Sequence, residues 1–286
     1  MLSERERQGV YAAIGASLMM AAMGTAIKVV AADAGNDMVV FLRNAFGLLF
    51  LLPGSIRRGP GILRTAHPGG HIARSVAGLA AMYCFFYAIA HLHLAEAVLL
   101  NFSSPIFTAI FAAIWLKEAV SAKTILAVAV GLAGIALILK PGPALWSSAA
   151  PVGLLSAVLA ALAMVNIRRL SATEPIYRIV LYFAVISTVI SAIPAALHWR
   201  PPSPHTLAFM AAAGLFATLG QFMMTFAYST APAARVGTLN YTTVLFAGLF
   251  GWWFWGEKLD GLSAVGAVLI CFAGMLVAKR PPAEAD

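Results

Sequence analysis

Long apolar segments, each ended by a short polar break, constrain this chain more than any other feature of its sequence. Nine breaks rich in Gly, Pro, Arg, His or Glu divide the chain, and a membrane-spanning helix needs about 20 apolar residues. Of the 286 residues, 61% are hydrophobic and 10% are charged. Since soluble domains carry about 25% charged residues, we predict an all-α integral membrane protein. A soluble enzyme, a disulfide-stabilised secreted fold and a disordered regulator are excluded.

Ten apolar segments of helical length lie between the nine breaks. Each is predicted to be a membrane-spanning helix. The segments are residues 10–32, 38–54, 72–90, 95–116, 122–139, 149–167, 176–198, 206–230, 234–255 and 261–278. The first segment is too long for the apolar core of a signal peptide, so we interpret it as a retained first helix.

The Lys and Arg residues are divided unequally between the two ends of these helices. With the N-terminus inside, 14 of the 19 basic residues fall on the cytoplasmic side. Basic residues are retained in the cytoplasm, so both termini are predicted to be cytoplasmic and the chain to lie in the cytoplasmic (inner) membrane. The net charge is +8, but the basic residues are scattered, which argues against nucleic acid as a partner.

The sequence contains an internal repeat. A shift of 139 positions places Asn101 on Asn240 and Glu118 on Glu257, with the order of the neighbouring matches kept. Each copy holds five predicted helices, an odd number, so the second copy should cross the membrane in the opposite direction. Inverted repeats are typical of secondary transporters. The segments so defined are two copies, 10–140 and 149–279, and two short cytoplasmic tails, 1–9 and 280–286.

Short motifs in both copies resemble a known family. The first copy has YAI at 87–89, LAEA at 94–97, SPIF at 104–107, WLKE at 115–118 and GLAG at 131–134, and the second has AY at 227–228, GE at 256–257 and AG at 273–274. These motifs resemble the EamA-type domain of the drug/metabolite transporter superfamily. The resemblance implies a ten-helix secondary transporter, similar to bacterial exporters of amino acids and metabolites, although importers of other metabolites share the pattern.

The fourth predicted helix has a polar face. Asn101, Ser104 and Pro105 recur at helical spacing and share one side. Pro105 cannot donate a hydrogen bond to the carbonyl of Asn101, so we predict a helix kink there. Polar, broken helix in a membrane is tolerated against protein or a watery cavity. Asn101 and its counterpart Asn240, with Thr243, therefore either line a substrate cavity or bond to a neighbouring helix.

Aromatic and polar side chains share faces of the third and eighth predicted helices. Ligand sites are mostly apolar with a few placed polar groups, and such a lining suits aromatic or branched amino acids. Helix packing is the alternative for each residue, and gap filling is the alternative for the methionines. The candidate substrate-binding residues of this group are Tyr83, Tyr87, Gln221, Thr225, Tyr228, Met23 and Met164.

The predicted midplane of the membrane contains no carboxylate. All 11 acidic residues lie in tails or beside helix ends, whereas proton relays in transporters use ionisable groups inside the membrane. We therefore expect flux down a gradient, without proton coupling through a deep acid. Lys28 and Arg43 lie inside predicted helices. Each either extends to the membrane surface, Lys28 toward Asp33 or Asp37, or binds a substrate carboxylate.

Two glutamates mark equivalent corners of the two copies. Glu118 and Glu257 each lie three positions before a typical helix N-cap residue, Ser121 and Asp260 respectively. The structural interpretation is that each carboxylate fixes its corner. Because the copies are inverted, Glu118 is expected on the inner side and Glu257 on the outer side, so each could also close one gate.

The sequence therefore predicts a carrier of small amphipathic metabolites. Amino acids are the favoured substrates, and export is the favoured direction. An uptake carrier for a nucleoside, a cofactor precursor or S-adenosylmethionine is the alternative. A membrane-embedded enzyme is a weaker one, because no HExxH motif or Cys/His cluster is present. A channel is disfavoured because no filter-like motif occurs. No cofactor or metal is predicted, and the expected partners are the substrate and the lipid bilayer, with a homo-oligomer left open.

Overall fold

The fold is all-helical throughout the part of the chain that a computed structural model describes, as the sequence predicts. The described residues are 4–104, 106–107, 110–111, 126, 129–131, 133–134, 136–137, 149–170, 173–230, 242–258 and 260–278. Their continuous helices are α1 Glu4–Arg58, a 3-10 helix Pro60–Leu63, α2 Pro68–His91, α3 Leu94–Asn101, α4 Ala150–Leu170, α5 Ile176–Leu197, α6 Pro204–Thr230, α7 Thr242–Trp255 and α8 Gly261–Ala278.

Helix α1 consists of two helices joined at a sharp bend. Gly35 has φ 66° and ψ 152°, a conformation that is close to the glycine-only region of backbone space. The 55 residues of α1 would extend about 80 Å at 1.5 Å per residue, against about 30 Å for a bilayer core. The arms 4–34 and 36–58 therefore have the lengths of two crossings, and the predicted break at Gly35 is confirmed.

The other long helices lie where the apolar segments predict them. Helices α2, α4, α5 and α6 are each long and apolar enough to cross a membrane, and α7 and α8 contain shorter apolar stretches. Helix α2 begins at Pro68 and not at residue 72, since proline is favoured in the first turn of a helix. More than half of the predicted helix 122–139, and parts of 95–116 and 234–255, lie outside the described residues.

Close helix packing forms the core, and the outer surface is apolar. The largest buried cluster joins residues of α1, α2, α3, α6 and α7, whereas Val189 and Trp253 are 62% and 77% exposed. A methyl group added at Gly214 would lie 2.7 Å from Cβ of Phe46, so glycine allows α6 to approach α1. Small residues at helix contacts are typical of membrane proteins. Lipid is as apolar as the side chains, so helices associate through close van der Waals packing, which small residues allow.

Helix packing comes in pairs that the internal repeat relates. The shift of 139 positions places the first arm of α1 on α4, and α2 on α6. The extensive contact of α1 with α6 has a counterpart in the contact of α4 with α2. The contact of α1 with α2 lacks such a counterpart among the described residues, because α6 makes no comparable contact with α4 or with α5, the helices that the shift relates to the two arms of α1.

Candidate transport site

A buried ion pair joins three parts of the chain at one end of the bundle. Lys28 Nζ lies 2.5 Å from Glu257 Oε1 and donates a 2.6 Å hydrogen bond to the carbonyl of Leu92. Glu257 Oε2 accepts a 2.7 Å hydrogen bond from the backbone N–H of Leu94. We name these four residues the latch, because they tie α1 to the α2–α3 corner and to the segment after α7.

Glycines allow Glu257 to reach this position. Gly256 has φ 65°, which turns the chain out of α7 after Trp255. A methyl group added at Gly251 would lie 2.5 Å from Glu257 Oε2, so a larger residue there would displace the carboxylate. The ring centroid of Trp255 lies 5.5 Å from Lys28 Nζ, within the range of a cation–π attraction.

The latch corrects the predicted partners of Lys28. The prediction that Lys28 extends toward Asp33 or Asp37 is wrong, because Lys28 pairs with Glu257. A carboxylate oxygen of Asp37 instead lies 3.0 Å from Nδ1 of His198. The physical reason is that Glu257 and the Leu92 carbonyl offer the ammonium group an opposite charge and an acceptor inside the protein. The side chain therefore does not need to reach the membrane surface.

Two predicted substrate-binding residues have buried polar atoms that meet no hydrogen-bond partner among the described residues. These atoms are the phenol oxygen of Tyr83, on α2, and the hydroxyl of Thr243, on α7. The backbone of Tyr83 is held by the amide of Asn36, which donates a 3.0 Å hydrogen bond to its carbonyl. Buried polar groups are nearly always paired in folded proteins, so both atoms are candidates for contact with a ligand.

Asn101 bonds to a neighbouring helix. Its side-chain amide donates a 3.0 Å hydrogen bond to the hydroxyl of Ser156 on α4. That hydroxyl in turn donates to the carbonyl of Gly153 at 2.6 Å. This is the contact that the helix-bonding interpretation of Asn101 predicts, and contact of Asn101 with a substrate stays a prediction.

A cavity of about 210 Å³ lies between the second arm of α1, α2, α5 and α6. Three arginines line it, namely Arg43, Arg58 and Arg74. Arg43, Gly47 and Leu51 recur every four residues, so one face of α1 forms a wall. Gln221 of α6 is the predicted substrate-binding residue that lies in this lining.

Aromatic rings support two of the cavity arginines. The guanidinium carbon of Arg58 lies 4.0 Å from the ring centroid of Tyr177, and that of Arg74 lies 3.7 Å from the ring centroid of Phe183. Arginine stacks favourably on aromatic faces. No Asp or Glu occurs in the part of the lining that the structure describes, so the cavity has a positive charge.

The other predicted binding residues are dispersed. Met23 is buried in the core, and Met164 is half exposed. Tyr87 is partly exposed and stacks on His91, with 4.1 Å between ring centroids, and Ser104 is half-buried after α3. The predicted residues that lie outside the described residues or side chains are Pro105, Glu118, Thr225, Tyr228 and Asn240.

Sequence reasoning missed Arg74 as a residue inside the bundle. The predicted helix starts at residue 72, which places Arg74 at the membrane surface. Helix α2 instead starts at Pro68, so Arg74 lies about 9 Å inside the helix at 1.5 Å per residue. Pro68 as a helix start is the signal that would have found it, whereas nothing in the sequence marks Phe183 as the neighbour of Arg74.

A second polar cluster ties the chain after α1 to the start of α5. Glu174 accepts a 2.5 Å hydrogen bond from the hydroxyl of Thr65 and another of 2.5 Å from Arg178, which also donates to the carbonyl of Ile62. The hydrogen bond from Thr65 lowers the pKa of Glu174, and the hydrogen bond and positive charge of Arg178 lower it further. Burial of the carboxylate opposes this effect. No three His, Cys, Asp or Glu side chains in the described part could hold a metal ion.

The EamA-like transporter family model matches residues 7–140 and again residues 147–279. The chain belongs to the EamA-like transporter family. The pseudopaline exporter CntI of Pseudomonas aeruginosa is 34% identical, over 98% of this chain and 99% of that protein. A riboflavin transporter of Rhizobium johnstonii is 30% identical over 84% of this chain and 80% of that protein.

Other comparisons extend this family relationship. An S-adenosylmethionine uptake transporter of Rickettsia bellii is 25% identical over 84% of this chain and 82% of that protein. A crystal structure of an 18% identical protein superimposes with a TM-score of 0.66, covering 94% of this chain and 95% of that one. The structural likeness shows a shared fold. The relatives are named as transporters of small molecules, so the chain is an integral membrane protein of a transporter family.

Proposed function

We propose that the protein is a secondary transporter that exports amino acids and related small amphipathic metabolites by alternating access through a central cavity. The observation that carries this proposal is the latch, which places a buried ion pair between the two copies of the repeat at one end of the bundle. An ion pair in that position can hold one entrance shut and release it when the helices rock. The 34% identity to a protein named as an exporter supports the outward direction.

The packing pairs support the proposed architecture of ten helices in two inverted repeats, 10–140 and 149–279. Exchange of the two halves maps the α1–α6 contact onto the α4–α2 contact. We place both termini in the cytoplasm and the chain in the cytoplasmic membrane on the basis of the charge distribution. A reporter enzyme fused to residue 286 that is active only outside the membrane would overturn this orientation.

The asymmetry of the packing supports one state of the cycle. Helices α1 and α2 pack against each other, and near the latch a methyl group added at Gly24 would lie 3.7 Å from Ile89 Cδ1. Within the described residues, α6 makes no comparable contact with α4 or α5, the repeat counterparts of α1. Alternating access requires two states in which the halves exchange their roles. We therefore assign the structure to the state that is closed at the latch end, which the proposed orientation makes the outer end.

Two buried polar atoms support binding of an amphipathic substrate. The phenol oxygen of Tyr83 and the hydroxyl of Thr243 are buried without partners in the described structure, next to aromatic side chains of the same core such as Phe86 and Phe246. A zwitterionic amino acid with an apolar side chain matches this combination. We propose no enzymatic reaction, and no proton coupling through a deep carboxylate.

Counterflow in proteoliposomes tests the proposed function. Vesicles loaded with mixed unlabelled amino acids should accumulate labelled aromatic or branched amino acids saturably, and vesicles without protein should not. The Tyr83→Phe and Thr243→Val variants keep side-chain shape and remove a hydrogen bond, so each should raise KM about two- to tenfold. Tyr11→Phe, at a largely exposed position, is the matched control and should behave like the wild type.

Two outcomes would contradict the proposal. Absence of saturable exchange by protein that elutes as a single folded species would exclude amino acids as substrates. Flux that rises linearly with concentration and shows no counterflow would indicate a pore and not a carrier.

A second candidate function is uptake of another metabolite, such as a nucleoside, a cofactor precursor or S-adenosylmethionine. The similarity to proteins named as a riboflavin transporter and as an S-adenosylmethionine uptake transporter favours it. The same vesicles loaded with unlabelled riboflavin or S-adenosylmethionine, with the matching label outside, separate this candidate from amino-acid export.

A further inference from the structure

Arg43 and Arg74 line one cavity between apolar helices of the bundle, and neither has an acidic partner in the described part of the chain. Arg43 lies eight residues beyond the bend at Gly35, about 12 Å along the second arm of α1. Arg74 lies in the second turn of α2. Charged side chains within membrane spans are costly and mark substrate or ion pathways. Their position therefore requires an explanation other than helix packing.

The guanidinium groups of these arginines have unused hydrogen-bonding capacity. Nε of Arg43, and Nε and Nη1 of Arg74, are buried and meet no acceptor among the described residues. Arg43 donates through Nη1 to Asn44 Oδ1, and the Asn44 amide nitrogen likewise lacks an acceptor in this part of the chain. Arg43, Asn44 and Arg74 all line the cavity, and guanidinium and amide N–H groups are donors that can pair with the oxygen atoms of an anion.

The acids that could neutralise this charge are engaged elsewhere in the described structure. Glu257 pairs with Lys28, and Glu174 binds Thr65 and Arg178. Two like charges that share a cavity repel each other. An anion bound between them would relieve both the repulsion and the unpaired donors.

We infer that the cavity is a binding site for an organic acid with two carboxylates, held by Arg43 and Arg74. Guanidinium groups match carboxylates through paired hydrogen bonds, and Leu51, Val180 and Phe183 supply apolar contact for the carbon skeleton. The volume of about 210 Å³ equals that of about seven water molecules. The site therefore fits a small dicarboxylate or the acidic end of a larger metabolite.

The position of Arg58 gives this site an entrance on the side opposite the latch. Lys28 lies seven residues from the bend at Gly35, whereas Arg58 lies 23 residues beyond it, at the far end of the second arm. Arg58 is exposed and lines the same cavity, so it offers an incoming anion a first positive charge. This inference rests on the proposed transport function. Among the small metabolites of that proposal, it identifies those with acidic groups as a substrate class.

Direct binding to the purified full-length protein tests the site without relying on flux. The probes are succinate and its uncharged diamide, succinamide, compared at equal ionic strength by isothermal calorimetry and by the shift in melting temperature. We expect saturable binding of succinate and none of succinamide. Arg43→Gln and Arg74→Gln should each weaken succinate binding about tenfold or more, since each removes charged hydrogen bonds.

Arg57→Gln is the matched control, because Arg57 is exposed on the same helix and lies outside the cavity lining. Its succinate affinity should equal that of the wild type. Arg43→Lys keeps the charge and removes the paired geometry, so it should bind with intermediate affinity and separates a binding defect from misfolding.

Three results would overturn the site: no saturable succinate binding by folded wild type, equal binding of succinamide, or undiminished affinity in the Arg43→Gln/Arg74→Gln double variant. Counterflow of labelled amino acids on the same preparations distinguishes this failure from failure of the proposed function. Succinate binding without any amino-acid exchange would uphold the site and contradict carrier activity. Amino-acid exchange without succinate binding would uphold carrier activity and overturn the site.

Discussion

The latch shows how one ion pair can hold distant residues together inside a membrane. Lys28 and Glu257 are separated by most of the chain, yet both charges are almost buried, at 12% exposure, and each has a further hydrogen bond to backbone. A buried ion pair adds little over apolar packing, but loss of one partner leaves an uncompensated charge. The latch should therefore be sensitive to single substitutions and tolerant of a paired one.

The first prediction compares single and paired substitutions at the latch. Lys28→Met or Glu257→Met should each lower the free energy of unfolding by about 3 kcal/mol or more, whereas the double Met variant should recover a large part of the loss. Thermal melting followed by size-exclusion chromatography measures the effect. Lys258→Met, at the exposed neighbouring position, is the control. A double variant as unstable as the sum of the two single variants would show that the charges do not interact.

The second prediction concerns the bond between Asn101 and Ser156. A double-mutant cycle with Asn101→Ala and Ser156→Ala should give a coupling of about 0.6 kcal/mol, the typical value for polar contacts between membrane helices. Ser17, also fully buried, lies 139 positions before Ser156, so the repeat predicts the same coupling between Ser17 and Asn240. Zero coupling for Asn101 and Ser156 would return Asn101 to the cavity-lining interpretation.

Single residues were predictable from the sequence where their chemistry was local. Glu257 could be assigned to a corner because a turn motif follows it, and its structure confirms the neighbouring cap: Asp260 accepts hydrogen bonds from the N–H groups of Leu262 and Ser263. The partner of Lys28 could not be predicted, because Glu257 is 229 positions away and only the packing of α1 against α7 brings them together.

At the scale of elements, the bend in α1 depends on one glycine. The backbone of Gly35, at φ 66° and ψ 152°, is unfavourable for any residue with a Cβ atom. As a third prediction, Gly35→Ala should destabilise the protein by about 1–3 kcal/mol. Gly61→Ala is the control, since an added methyl group there meets open space without a positive φ. Equal melting temperatures for the two variants would show that the bend does not require glycine.

The connection between α1 and α2 is tied to α5 through Glu174, and this tie should respond to pH. Because the folded-state pKa of Glu174 is lowered, its stabilising effect is present above the unfolded value, about 4.3. It is lost as the pH falls through the lower folded value. As a fourth prediction, the melting temperature should fall on acidification below about pH 4.5 less steeply in Glu174→Gln than in the wild type. Glu4→Gln, exposed at the N-terminus, is the control. Parallel acid profiles for the wild type and Glu174→Gln would contradict the prediction.

Helix positions were predictable because apolar length and polar breaks are local properties of the sequence. The boundaries of α5 and α8 agree with the prediction to within one residue. The start of α2 was displaced by four residues, because hydropathy weighs Pro68 and His71 as loop residues while the backbone continues as helix through them. That displacement hid Arg74, and with it the positive charge of the cavity.

At the scale of the whole molecule, the repeat relates the α1–α6 contact to the α4–α2 contact, but it does not account for the α1–α2 contact. The α1–α2 contact is present, and α6 makes no comparable contact with α4 or α5 among the described residues. A symmetric sequence pattern cannot predict this difference, because either half can take either arrangement. The latch lies at the closed contact, so its opening is the step by which the proposed carrier would expose the cavity to the other side.

The last prediction tests this step by fixing the latch. In a background in which Cys84 and Cys271 are replaced by Ala, Lys28→Cys and Glu257→Cys are joined with a short bis-methanethiosulfonate reagent. It forms a disulfide with each thiol and releases two methanesulfinates, and the cross-link should abolish counterflow. Reduction should restore flux to the level before cross-linking. Ile72→Cys/Val76→Cys is the matched control, because both residues are exposed on α2 and a cross-link between neighbouring turns of one helix leaves the two copies free to move. The cross-link should leave succinate binding intact, because Arg43 and Arg74 face an entrance at the opposite end. Undiminished counterflow in fully cross-linked protein would show that the latch end does not open during transport.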